Sequence, residues 1–266
     1  MSLSNNIELK NPATKFIEWS GENGNFKYWD KTKGAKKDDG SFTGERVILN
    51  LPFTFIALDT LSTIKGYSDA DQSGYWSNEI RDIKKETLIV KSKKGECAKG
   101  LYNDIIGKKE ITGAKYCQSV YIAYKEGETL VIANVQMVGS ALSTWIDFRK
   151  KNDIYNGAVS ISGFTEGQKG KTVYKMPTFK LIPISEATKK QAIELDKQLQ
   201  DYLGKYFNKL KVEQVETPVV LTAEEEAALF YDGQEARNTG SFTEEIYGKP
   251  KQAATATQAP DDDLPF

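Results

Sequence analysis

Apolar, β-branched and aromatic runs recur through the body of the chain, each bounded by polar residues or glycine. They are "NFKYWDK", "RVILNLPFTFIALD", "STIKGYS", "ETLIVKS", "KYCQSVYIAYKEGETLVIANVQMVG", "AVSISGF" and "KTVYKMPTFKLIPI". Side chains of this kind suit a pleated, half-buried surface, so each run predicts one or more strands. Two junctions carry hairpin punctuation: "KEGE" at 125–128 and "EGQKGK" at 166–171 each join two runs through a short glycine-containing loop. Strands at this spacing predict a small barrel or sandwich.

Helical spacing interrupts the strands at three places. Two short candidates are "GLYNDIIG" at 100–107 and "SALSTWIDFRKK" at 140–151. The third is long. It starts with Ser185 as N-cap and sets Leu195, Leu199, Tyr202, Leu203, Tyr206, Phe207 and Leu210 in an apolar stripe. This helix is expected to close the folded body, its stripe serving as core or barrel cover. A dimer seam is the alternative reading, which leaves homo-oligomerisation open.

After Thr217 and Pro218 the character of the chain changes. "TAEEEAALF" opens with a capping box, Thr222 with Glu225, and suggests a short helix over about 223–231. "KPKQAATATQAP" has too little to bury to offset the entropy of ordering it. The expected organisation is a folded domain over 1–212 that ends in a helix, followed by an acidic, largely flexible tail over 213–266.

Charge sharpens this division. Residues 1–212 hold 33 Lys and Arg against 25 Asp and Glu, a net +8, whereas 213–266 hold 3 against 12, a net −9. A basic body with an acidic appendage is expected of a protein that holds a polyanion with one part and something basic with the other. The absence of histidine excludes Ser-His-Asp and Cys-His catalysis and every imidazole-dependent zinc site. Cys97 and Cys117 are too few for an all-cysteine zinc site or a disulfide framework, and fit a reducing compartment as small buried hydrophobes.

No phosphate-binding G-x-x-x-x-G-K-[ST] loop is present. No run of about 18 apolar residues is available to span a bilayer. The start, "MSLSNNIELKNPATKF", lacks the basic-then-apolar pattern of a signal peptide, so the expectation is a cytoplasmic protein without a membrane partner. A non-enzyme without cofactor or resident metal is the reading that follows, with carboxylate-only metal chemistry left as an alternative.

The chain ends on Asp261, Asp262, Asp263, Leu264, Pro265 and Phe266. This hexapeptide resembles the C-terminal tip of bacterial single-stranded DNA-binding proteins, which close on several acidic residues, an aliphatic residue, Pro and Phe. The resemblance implies that the tip binds replication, recombination or repair proteins rather than DNA. Its chemistry suits such docking: the Phe266 ring can fill an apolar pocket, its α-carboxylate can pair with Arg or Lys, and the aspartates can lie on a basic rim. "NPATKFIEWSGENGNFKYWDK" and the strands after it are similar to phage-encoded single-stranded DNA-binding proteins. That similarity implies an oligonucleotide-binding (OB) barrel working in host cytoplasm.

Single-strand binding needs a cationic groove for phosphates and aromatic faces for bases. In "FKYWDKTKGAKKDDG" strand alternation sends Phe26 and Tyr28 one way and Lys27 and Trp29 the other, and Lys31, Lys33, Lys36 and Lys37 follow in a loop. Tyr28 and Trp29 with these five lysines form the first candidate cluster, against the reading of a core Trp beside a solvated loop. "KGYSDADQSGYW" supplies Tyr67, Tyr75 and Trp76 around a turn. Lys91, Lys93 and Lys94 extend the phosphate path, although each alone also reads as a solvated charge. Asp69, Asp71, Ser73 and Gly74 match the early positions of a calcium loop, but Ile80 stands where its bidentate Glu belongs, which favours a polar turn.

Together these features predict a mainly β protein: an OB-like β-barrel with short helices, a long C-terminal helix and an acidic flexible tail. The expected function is sequence-nonspecific binding of single-stranded DNA with recruitment of partners through the tip. A protein-interaction adaptor or virion-associated structural protein is one alternative, and a metal-dependent single-strand nuclease another.

Overall fold

The computed structural model describes residues 9–36, 42–68 and 72–215, the side chains of 212–215 excepted. The helix expected near 223–231, the tip Asp261–Phe266, and Lys37, Asp69 and Asp71 lie outside the described residues.

The protein is mainly β. Strands β1 (Phe16–Ser20), β2 (Asn25–Asp30), β3 (Glu45–Leu49), β4 (Phe53–Ser68), β5 (Ser73–Ser77), β6 (Leu88–Ser92) and β7 (Gly95–Gly100) come first. The one-turn helix α1 (Tyr102–Ile105) leads to β8 (Ala114–Glu126) and β9 (Thr129–Met137). Helix α2 (Gly139–Lys151), strands β10 (Ala158–Lys169) and β11 (Thr172–Ile182), and helix α3 (Glu186–Val215) complete the order.

The apolar runs become strands as expected, and chain breakers cut the longest of them. Asn50, Leu51 and Pro52 separate β3 from β4 inside "RVILNLPFTFIALD". Gly127 takes φ 60° in the β8–β9 turn, a left-handed conformation open to glycine at little cost. The second hairpin turns later than its polar sequence suggests: β10 and β11 pair out to Lys169 and Thr172, so only Gly170 and Lys171 form the loop.

The strands form one mixed sheet in the order β3-β2-β1-β9-β8-β4-β5-β6-β7, with β10 and β11 joined to it through β4. The β1–β9 pairing is parallel. Strand β4 gives one edge to β8 and divides the other between β5 near its C-terminal end and β10 near its N-terminal end. The sheet therefore forks at β4 instead of running round a single ring, and among the described residues it is not closed.

A bulge at Leu58, between Ala57 and Asp59, resets the alternation of β4. Phe53, Phe55 and Ala57 before it and Ile64 after it consequently share one core with Ile17, Phe26, Val120, Ile122 and Val135. Helix α2 covers this inner face with Trp145, whose ring meets Phe55 at 6.1 Å and Phe179 at 5.2 Å between centroids.

Helix α3 starts where the sequence places it: the Thr188 N–H donates to Ser185 Oγ at 3.2 Å. It lies on the opposite, outer face of the sheet, where Leu199 and Leu203 are buried with Ala13, Leu61, Tyr121 and Ile132. Burial of the two leucines contributes about 3–6 kcal/mol. The middle of the apolar stripe is thus spent on the chain's own sheet.

Candidate nucleic-acid interface

The outer face can be read off the ladder, because directly paired residues point the same way. Across β2, β1 and β9 the pairs are Lys27 with Glu18 and Glu18 with Gln136. Across β8, β4, β5 and β6 they are Lys115 with Lys65, Lys65 with Trp76, and Trp76 with Lys91. The opposite face holds the main core, so any large ring on the outer face must be covered by α3 or left in solvent.

Helix α3 and the segment through Asn11 and Ala13 cover the outer face at the central strands β9, β8 and β4. Two aromatic patches remain open on its flanks. The first carries Trp29, 55 % exposed, with Phe16, Ile48 and the Arg46 paired across from Trp29. The second carries Trp76 and Tyr67, at 45 % and 51 % exposure, which are diagonal neighbours on β5 and β4. Tyr67 stands opposite Gly74, whose lack of a side chain leaves the ring uncovered on that strand.

A polar strip links the patches. Lys27 Nζ lies 3.4 Å from the Glu18 carboxylate, Glu18 pairs with Gln136, and the Gln136 amide oxygen accepts a hydrogen bond from Lys65 Nζ. Strands β2 and β5 are five ladder steps apart in the sheet order, about 24 Å of sheet width. Glu18 offsets part of the positive charge of Lys27.

Trp29 is held as a platform. Gly44 has φ 82°, and a β-carbon there would overlap the indole, so the ring lies directly on the Gly44 backbone. The loop beyond Trp29 is built by local hydrogen bonds. Asp30 Oδ1 accepts from Thr32 N–H and Oγ1–H, the Gly44 N–H donates to the Lys33 carbonyl at 2.9 Å, and Lys36 bridges Phe42. These Thr32 bonds also hold the Asp30 carboxyl below its ordinary pKa. Lys31, Lys33 and Lys36 are exposed along this ribbon.

The expected cluster residues divide by strand phase. Lys27, Trp29, Tyr67, Trp76 and Lys91 stand on the outer face, and exposed Lys93 and Lys94 form the β6–β7 turn beside them. Tyr28 and Tyr75 point inward and pack in the core at 7 % and 5 % exposure, where they offer no face to a base. Ser73 and Gly74, assigned to a polar turn by the calcium-loop comparison, belong to β5, and Ile80 is buried in a bridge to Ser62.

Phe16, Arg46, Ile48, Lys65 and Lys115 were not singled out from the sequence. Phe16 and Ile48 carry a usable signal in retrospect, being apolar residues at the outward phase of a strand. Lys65 and Lys115 carry none, because only the β4–β8 register brings them opposite each other.

Beneath α3 the outer face buries a polar network. The Glu79 carboxylate accepts from Ser119 Oγ–H and, at 2.7 Å, from Tyr121 O–H, and Asn134 Nδ2 donates to Ser119 Oγ. Tyr206 of α3 accepts the Glu79 backbone N–H at 2.7 Å. Burial raises the Glu79 carboxyl above its ordinary pKa despite these donors, lowers Lys65, and pushes the Cys117 thiol up to about 12. Cys117 is buried as expected, whereas Cys97 is half-buried, its thiol bonded to Ser92 Oγ.

The Glu79 shift has a definite sign. A carboxyl with a raised native pKa binds more protons folded than unfolded, so its contribution to stability falls as pH rises from about 4.5 through the raised native value. Lys65, Asp59 and Tyr202 surround it electrostatically. Glu79→Gln removes this titration. The urea midpoint of the native protein is therefore expected to fall relative to that of the variant between pH 4.5 and pH 8, and a constant gap would refute the assignment.

Among the described residues, no helix is long and apolar enough to cross a membrane. Comparison with protein-family models, curated proteins and solved structures returns no match.

Proposed function

We propose that this protein binds single-stranded DNA without sequence preference, in DNA replication, recombination or repair, and recruits partner proteins through Asp261–Phe266. The observation that carries the reading is the placement of Trp29, Tyr67 and Trp76. These are large rings left in solvent on the outer face of a sheet whose other face is filled by the core. A folding argument alone gives no reason to leave them there, whereas bases stack on such rings at about 1–3 kcal/mol each.

Lysines beside the rings supply phosphate contacts. Lys91 flanks Trp76 across the ladder, and Lys31, Lys33 and Lys36 follow Trp29 in the chain. The outer face of the sheet then has an OB-like role, with the DNA strand lying along the polar strip between the patches. Stacking is indifferent to base identity, which accounts for the absence of sequence preference.

The test is the quenching of tryptophan fluorescence by oligo-dT, repeated over a range of salt and against duplex of equal length. Strand-selective quenching is expected. If about five phosphates are neutralised, the slope of log affinity against log salt is about −3.5. A flat salt response, or no retention of oligo-dT in a second assay, would overturn the reading and leave the tip as the docking peptide of an adaptor.

A further inference from the structure

A cleft opens beside the C-terminal part of α3. It measures about 450 Å³ and lies between the segment after β5 and the C-terminal part of α3. Ile80, Phe207 and Leu210 line its apolar part, and Arg81, Lys85 and Lys211 its basic part. The Arg81 guanidinium sits 5.1 Å from the Phe207 ring centre while also pairing with Asp59 at 3.0 Å. Lys85 keeps a loose 3.7 Å contact to Asp82, and its side chain is 83 % exposed.

The cleft has one lining carboxylate, and it is engaged: Glu86 Oε1 accepts the backbone N–H groups of Arg81 and Asp82 at 3.1 and 2.6 Å. What remains is an apolar slot with an excess of cationic donors. That chemistry takes an aromatic or aliphatic side chain attached to carboxylates.

We infer that this cleft is a docking site for the chain's own C-terminal tip, Asp261–Phe266, within the same molecule. The Phe266 ring fills the slot formed by Ile80, Phe207 and Leu210. The aspartates Asp261, Asp262 and Asp263 meet Arg81, Lys85 and Lys211. Chain geometry permits it: α3 ends at Val215, four residues after Lys211, and residues 216–260 separate that end from Asp261. Forty-five residues reach up to about 150 Å when extended, ample for a return to the cleft.

A site beside the start of the tether gains from effective concentration, so even a weak contact is populated within one molecule. Docking there would withhold the tip from other proteins until something displaces it. The inference rests on reading the tip as a docking peptide and does not require that the outer face bind DNA.

The experiment uses the full chain with Phe266 replaced by a photo-crosslinking benzoylphenylalanine, irradiated without nucleic acid and mapped by mass spectrometry. Crosslinks from residue 266 to peptides containing residues 78–87 or 207–211, in a yield independent of protein concentration, are expected. Crosslinks confined to the Trp29 or Trp76 peptides, crosslinks between chains, or no defined crosslink would overturn the proposal. A second variant, Lys85→Glu with Lys211→Glu, is expected to lower the yield about tenfold with an unchanged urea midpoint, and an unchanged yield would refute the charge pairing. Failure here leaves the oligo-dT titration untouched, and failure of that titration leaves these crosslinks untouched.

Discussion

Trp145→Ala is expected to destabilise the protein by about 3–5 kcal/mol, the range for truncating a fully buried large aromatic. Trp145 has no solvent exposure and is the largest of the fully buried side chains. It is also the residue through which α2 holds three elements together. Its ring meets Phe55 of β4, Phe179 of β11 and Phe148 of its own helix, all within about 6 Å between centroids. Alanine leaves a cavity that three neighbouring rings cannot all collapse into, and it removes a ring contact that reinforces the β10–β4 ladder joining the β10–β11 branch to the main sheet.

Trp145→Phe provides the control. The Trp145 indole N–H is buried without an acceptor among the described residues, and an unsatisfied donor of this kind costs about 1–3 kcal/mol. Phenylalanine gives up packing volume but also removes that donor. Its loss is therefore expected to be well below that of alanine. Urea denaturation checks both: a lower midpoint at unchanged slope for alanine and a smaller shift for phenylalanine. An alanine variant with the native midpoint would mean that α2 does not hold the branch.

Removing both outer-face indoles is expected to have the largest effect on binding. Trp29→Ala with Trp76→Ala deletes two stacking surfaces worth about 1–3 kcal/mol each, so oligo-dT affinity falls by roughly 30-fold to 10⁴-fold. Both rings are about half exposed, and their removal opens no internal cavity. The urea midpoint should therefore stay near that of the native protein. Anisotropy of labelled oligo-dT reads the affinity, since the variant loses two of the chain's four tryptophans. Tyr155→Ala, at 52 % exposure in the connection after α2, is expected to leave affinity unchanged. Equal losses in both variants would show that the outer face is not the binding surface.

The two substitutions separate what was legible in the sequence from what was not. Trp29 and Trp145 are the same residue type in runs of similar make-up. In β2 the alternation of Phe26, Lys27, Tyr28 and Trp29 already assigns Trp29 to the face opposite Phe26, and the structure places it there. The same alternation places Tyr28 inward, because it shares the phase of Phe26. Tyr75 lies in the core because the segment expected to be a turn is a strand, and adjacent strand residues such as Tyr75 and Trp76 face opposite ways.

Sequence by itself determined the strand-rich class, the positions of α1, α2 and α3, the Ser185 cap and the opposite charges of residues 1–212 and 213–266. These are local properties, set by side-chain periodicity, by capping and by composition. Only the tertiary structure decided that the sheet forks at β4 and, among the described residues, is not closed, that α3 covers the face opposite α2, and that Lys115, Lys65, Trp76 and Lys91 form one row. It also decided that Glu79 is buried beneath α3 with Ser119 and Tyr121. Each of these depends on register between strands far apart in the chain. A one-residue slip would preserve every local pattern while turning this row into the core.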